Sequence, residues 1–198
     1  MRLTARYHAA ALLLALVLAA GAGARAAGVS GARARSQAIV ADAEQLILAA
    51  GKSDPLDTSK VHAAVDRLRE AVQVDPRNDE AYVDLGFCYG LLRDPDSAIK
   101  AYTTATKLNP TGTNFKELAD IYLRTGEPDD ALMAANAGLV KDPKNASLYN
   151  AKGMALNDMM RQDEAIAAFR RAVQLDPTLD VARQNLEALS ARKTSISR

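Results

Sequence analysis

Apolar positions through most of this chain recur three, four and seven residues apart, the spacing that collects side chains on one face of a helix. In YVDLGFCY, Tyr82, Leu85, Gly86 and Tyr89 fall in that register. The same places are held next by Phe115, Leu118, Ala119 and Tyr122, and then by Tyr149, Lys152, Gly153 and Leu156. Polar turns separate the runs at Arg93–Asp96, Arg124–Asp129 and Arg161–Asp163, two of them containing proline. Each run therefore predicts a helix followed by a short turn and a second helix.

A second regularity fixes the length of the unit. Ala64, Ala98, Ala131 and Ala165 are separated by 34, 33 and 34 residues, and Ala71, Ala105, Gly138 and Ala172 repeat those spacings. So do Pro76, Pro110, Pro143 and Pro177. Three positions that share one register, including the same single-residue shortening, make an internal repeat and not a bias toward alanine. Proline lacks the amide hydrogen and pushes its preceding residue out of the helical region, so Asp75, Asn109, Asp142 and Asp176 are the predicted ends of the second helices. Small residues at Gly86, Ala119 and Gly153 are predicted to let paired helices approach closely while neighbouring rings fill the space beside them.

This pattern of aromatic, Leu, Gly, Tyr, then Ala, aromatic, small residue and Pro resembles the tetratricopeptide repeat. Residues 79–111, 112–145 and 146–179 match it, the first of these best, through Tyr82, Leu85, Gly86, Tyr89, Ala98, Tyr102, Ala105 and Pro110. Lys152 stands where a leucine is expected, and Ala135 where a large ring is. Residues 36–78 look like a degenerate first unit, with Ala64, Leu68, Ala71 and Pro76 in the second helix, no motif in the first, and a long turn from Gly51 to Lys60. Asp180 is placed to cap a closing helix over 180–192 in which Val181, Leu186 and Leu189 share a side. The resemblance implies an all-α superhelix, a solenoid of helix-turn-helix pairs with a C-terminal capping helix. Residues 27–35 and 193–198 are expected to be flexible tails.

The amino terminus adds a compartment. Residues 1–26 combine a basic start, an apolar run from Ala9 to Ala20 and small residues ending in Ala24-Arg25-Ala26, the plan of a secretory signal peptide. An uncleaved membrane anchor is the alternative, and no cysteine nearby would support lipid attachment. An exported protein, periplasmic or secreted, is the expectation. Without Arg2, Arg6 and Arg25, 22 basic face 24 acidic residues, so the formal charge moves from +1 to about −2. That balance gives no basic stripe for nucleic acid.

Chemistry-bearing residues are scarce. Cys88 is the single cysteine, which rules out an intrachain disulfide, and its place in an apolar helix predicts burial. His62, read as lying in a polar turn before a helix, is the one histidine outside the amino-terminal segment. That leaves too few ligands for a Cys/His metal site and no nucleophile elbow for a triad. Asp129-Asp130 and Asp163-Glu164 are read as helix-start residues favoured by the helix dipole. No enzyme, cofactor or metal is expected.

The family resemblance instead implies a concave face lined by first helices. Carried across position by position, the lining is Val83, Phe87 and Leu91, then Lys116, Asp120 and Arg124, then Asn150, Met154 and Asn157. Such a groove is apolar at its start, charged in its middle and rich in amides at its end, and is expected to hold a partner protein or extended peptide. Asp120, where a carboxylate-binding repeat wants asparagine, disfavours chaperone tails, and Asp84, Glu117 and Ala151 break the asparagine ladder of the related sugar-transferring enzymes. The alternative role is a structural subunit of a cell-envelope assembly.

Overall fold

The computed structural model describes residues 30–53 and 55–196, with side chains described to residue 192; the expected signal segment lies outside these residues. Among the described residues all regular structure is helical. Helix α1 spans residues 30–51, followed by α2 (Thr58–Val74), α3 (Asp79–Leu91), α4 (Pro95–Leu108), α5 (Gly112–Thr125), α6 (Pro128–Lys141), α7 (Ala146–Asp158), α8 (Gln162–Leu175) and α9 (Asp180–Ile196). Residues 30–35, expected as a flexible lead-in, are instead the first turns of α1. Their anchor is the buried Ser36, whose hydroxyl donates to the Ala71 carbonyl at 2.8 Å and accepts from Asn78 Nδ2 at 2.8 Å. At the other end the backbone stays helical past residue 192, as far as Ile196.

Helix boundaries follow local chemistry. Asp57, Asn78, Asp94, Thr111 and Asn145 accept backbone N–H bonds at the starts of α2, α3, α4, α5 and α7, satisfying donors that have no intrahelical partner. Asp75, Asn109, Asp142 and Asp176 terminate α2, α4, α6 and α8, each immediately before its proline. The turn expected at Arg161–Asp163 lies slightly earlier, because Met160 takes the left-handed conformation (φ 61°) and α8 begins at Gln162. His62 is likewise inside α2, exposed, with Nδ1 2.7 Å from the Thr58 carbonyl oxygen.

Pairs α3/α4, α5/α6 and α7/α8 pack along their lengths, and successive pairs stack through α2/α3, α4/α5, α6/α7 and α8/α9. Two glycines let rings pack directly against the partner helix. A Cβ on Gly86 would lie 2.8 Å from the Tyr102 ring, and one on Gly153 2.6 Å from Phe169. In the pair between them Ala119 and Ala135 are both fully buried in one cluster, so the missing large ring in α6 is matched by a larger residue in α5. Leu68, Ile121, Leu148 and Leu156 are among the largest buried side chains, and buried alanines fill most of the rest.

Helices α3, α5, α7 and α9 touch one another in series, whereas α4, α6 and α8 do not. The first helices of the pairs therefore line the inner side of the curve and the second helices its outer side.

Candidate partner-binding groove

The middle of the inner face holds a cleft of about 470 Å³ between α5, α7 and the start of α9. Its walls are Lys116, Asp120, Leu123 and Arg124 from α5, Ser147, Asn150 and Met154 from α7, and Leu179 and Val181 at the α8–α9 junction. Five residues expected on the concave face, Lys116, Asp120, Arg124, Asn150 and Met154, thus meet around one space. Their spacing of four along each helix puts them on one stripe, and stacking of α5 on α7 brings the stripes together.

The remaining expected residues lie elsewhere. Asn157 borders a smaller neighbouring depression of about 180 Å³, which shares Met154 with the main cleft and is completed by Asp158 and by residues of α8 and α9, including Asn185 and Arg192. Phe87 is 47% exposed on α3 and lines neither space. Val83 and Leu91 are half-buried and contribute to packing, Val83 against the Tyr102–Leu118–Ile121 cluster and Leu91 against the Val61–Leu68–Leu85 cluster.

Sequence reading missed Leu123, Ser147, Leu179 and Val181 in the cleft. Val181 was expected to pack with Leu186 and Leu189, but Ala182 and Leu189 are the buried pair and Val181 is 45% exposed at the cleft edge. Leu186 still packs beside Leu189, and Ala182, four residues before one and seven before the other, takes the inward place expected of Val181. Asp180, expected as the cap, is the first helical residue and pairs with Arg183. A small buried alanine among large apolar neighbours was the available signal.

Electrostatics divide the cleft. Lys116 Nζ lies 2.8 Å from Asp120 and 3.2 Å from Glu117, and although burial lowers its pKa, these two carboxylates more than offset that and raise it. Arg124 donates a long bond, 3.4 Å, to the Gly90 carbonyl and has no carboxylate partner among the described residues. It also borders a second space of about 410 Å³, lined by Gly90, Arg93, Ile121 and Thr125 among others. Asn150 Oδ1 accepts from Asn185 Nδ2 at 3.0 Å, which fastens α9 onto α7.

Toward the amino-terminal end of the array a carboxyl is buried on α3. Asp84 Oδ2 is buried without a hydrogen-bond partner, and burial, followed by the charges of Glu44 and Glu80, pushes the carboxyl up to about 7. Below it Cys88 is fully buried; that burial, with Asp84 nearby, pushes its thiol up to about 12. Among the described residues no group of three His, Cys, Asp or Glu side chains is placed to hold a metal, and no helix is long and apolar enough to cross a membrane.

Tetratricopeptide-repeat family models match residues 79–111 and 116–180. The small glutamine-rich tetratricopeptide repeat-containing protein 2 of Mycosarcoma maydis is 32% identical over 106 residues, covering 53% of this chain and 30% of that protein. The chain thus spans under a third of that relative's length. Among solved structures, the tetratricopeptide domain of Arabidopsis OM64 is 27% identical with a TM-score of 0.53, over 56% of this chain and 93% of that one. YrrB, described as a tetratricopeptide protein with an unusual peptide-binding site, shares the fold at 20% identity and a TM-score of 0.57, over 69% and 71% of the two chains.

Proposed function

This chain belongs to the tetratricopeptide-repeat family, and from that premise we propose that it is a non-catalytic scaffold that holds a partner protein or an extended peptide along the inner face of its array. The observation that carries this reading is the convergence of Lys116, Asp120, Arg124, Asn150 and Met154 from two stacked first helices on one open cleft. A cleft of that size, lined by Leu123, Met154, Leu179 and Val181 together with a few polar groups, suits a side chain and its flanking backbone. The peptide-binding site described for YrrB, on the same fold, supports the same use of the array. The burial of Cys88, the single cysteine, fits a non-catalytic role.

Export belongs to the same proposal and rests on residues 1–26. Cell fractionation of the tagged chain tests it: recovery outside the cytoplasm supports export, and recovery in the cytoplasm alone removes it. The binding reading is tested by pull-down with two double variants. Phe87→Ala with Arg124→Glu on the inner face is expected to lose the partner that the intact chain retains, while Met133→Ser with Val140→Ser on the outer face of α6 retains it. Identical partners with the inner-face variant would defeat the reading.

A further inference from the structure

Most polar groups around the main cleft are already committed. Lys116 is held by Asp120 and Glu117. Asn150 receives the Asn185 amide on its oxygen, and its own Nδ2 lies 3.5 Å from Met154 Sδ. Arg124 is different: a guanidinium has five N–H donors, and this one makes a single long bond to a backbone carbonyl. It stands on the wall between the 470 Å³ and 410 Å³ spaces. Beside it the cleft is lined by Leu123, Met154 and Leu179, with Val181 uncovered at the edge.

Resting on the groove reading above, we propose that this cleft takes an extended segment bearing an aliphatic side chain and, two residues away, one acidic side chain. The aliphatic group lies against Leu123, Met154, Leu179 and Val181, and the carboxylate pairs with Arg124. Residues two apart share a side of an extended chain, which lets both reach the groove together. Arginine's planar fork matches a carboxylate in a bidentate pair, a stronger bond than the one it now makes to Gly90. Complementarity stops at a single acid. A second one finds Lys116 already neutralised and meets the repulsion of Asp120. The occupant is therefore a sparsely charged aliphatic-acidic segment, and acid-rich tails bind no better.

The probes are three blocked peptides titrated into the full chain: acetyl-Ser-Leu-Ser-Glu-Ser-amide, its Gln counterpart, and acetyl-Ser-Leu-Glu-Glu-Glu-amide. Methyl resonances of Met154 and Val181 report the cleft, and Met133, on the outer face, is the control. The Glu peptide is expected to shift Met154 and Val181 and to bind at least about fivefold tighter than the Gln peptide, with no gain for the triple acid. Arg124→Gln is expected to erase the Glu preference. Gly90→Ala places a methyl 3.0 Å from Arg124 Nη2, so it displaces the guanidinium without removing its charge; it is expected to weaken the preference while thermal unfolding shows the fold intact. Equal affinity for the Glu and Gln peptides, with Met154 still shifted, would overturn this inference and leave the groove reading standing. Shifts at Met133 alone, or at none of the three residues, would overturn both.

Discussion

Gly86 and Gly153 set how closely two helix pairs can pack, because any Cβ at either position enters an aromatic ring. Gly86→Ala and Gly153→Ala are each expected to lower stability by about 1–3 kcal/mol, the usual cost of overpacking, in urea unfolding followed by circular dichroism. Gly51→Ala, at the end of α1 with nothing within 4 Å of its added methyl, is expected to be neutral or slightly stabilising. Asp84 carries the pH dependence at this scale. Its folded-state pKa of about 7 lies above the ordinary 3.8, so between these values the folded chain holds a proton that the unfolded chain has lost. Stability should fall as pH rises through that window, while Glu44 from α1 and Glu80 from α3 face the carboxylate that forms. Asp84→Asn is expected to flatten the fall in thermal-melt midpoint between pH 4 and 7 and to melt higher than the parent at pH 8. Cys88, buried with its thiol pushed up to about 12, is expected to resist thiol reagents in the folded chain and to react on unfolding. The glycine–ring pairs and the burial of Cys88 were legible because repeat spacing exposes them. The strain at Asp84 was not, since it depends on Glu44 in a helix that lacks the motif.

Elements are delimited by capping side chains and joined by bonds that repeat with the array. Asn114 donates to Asp79, Arg124 to the Gly90 carbonyl and Asn185 to Asn150, and each links one first helix to the next. The buried Asn78 serves two elements, accepting from Ala81 N to cap α3 and donating to Ser36 to hold α1. Asn78→Ala should cost about 1–2 kcal/mol through the lost cap and the lost bond to the buried Ser36 hydroxyl, which keeps only its donation to Ala71. Hydrogen exchange is the discriminating measurement: amides of α1 and the start of α3 should exchange faster, and those of α7 should not change. Helix ends before proline could be read directly, since Asp75, Asn109, Asp142 and Asp176 each have one physical reason to stop a helix. The turn before α8 could not, because neither Met159 nor Met160 is a turn-forming residue and the left-handed φ at Met160 has no local signal. Val181 was misplaced because it falls five and eight residues before Leu186 and Leu189, whereas Ala182 falls four and seven before them and shares their face.

At the scale of the whole molecule, stacking turns four ordinary helix faces into one inner surface, with the Arg124 cleft in the middle and α9 closing the far wall. Repeat spacing made the array and most of the cleft residues legible, but the closing wall came from how α9 docks, which no repeat encodes. The central claim is that partners are held on this inner surface. A photo-crosslinking amino acid placed singly at Phe87, Ser147 or Val181 on the inner side, and at Met133, Val140 or Gln174 on the outer side, tests it in the native cell. The account predicts that the inner positions crosslink to a common partner and the outer positions do not; crosslinks to a common partner from the outer positions alone would contradict it.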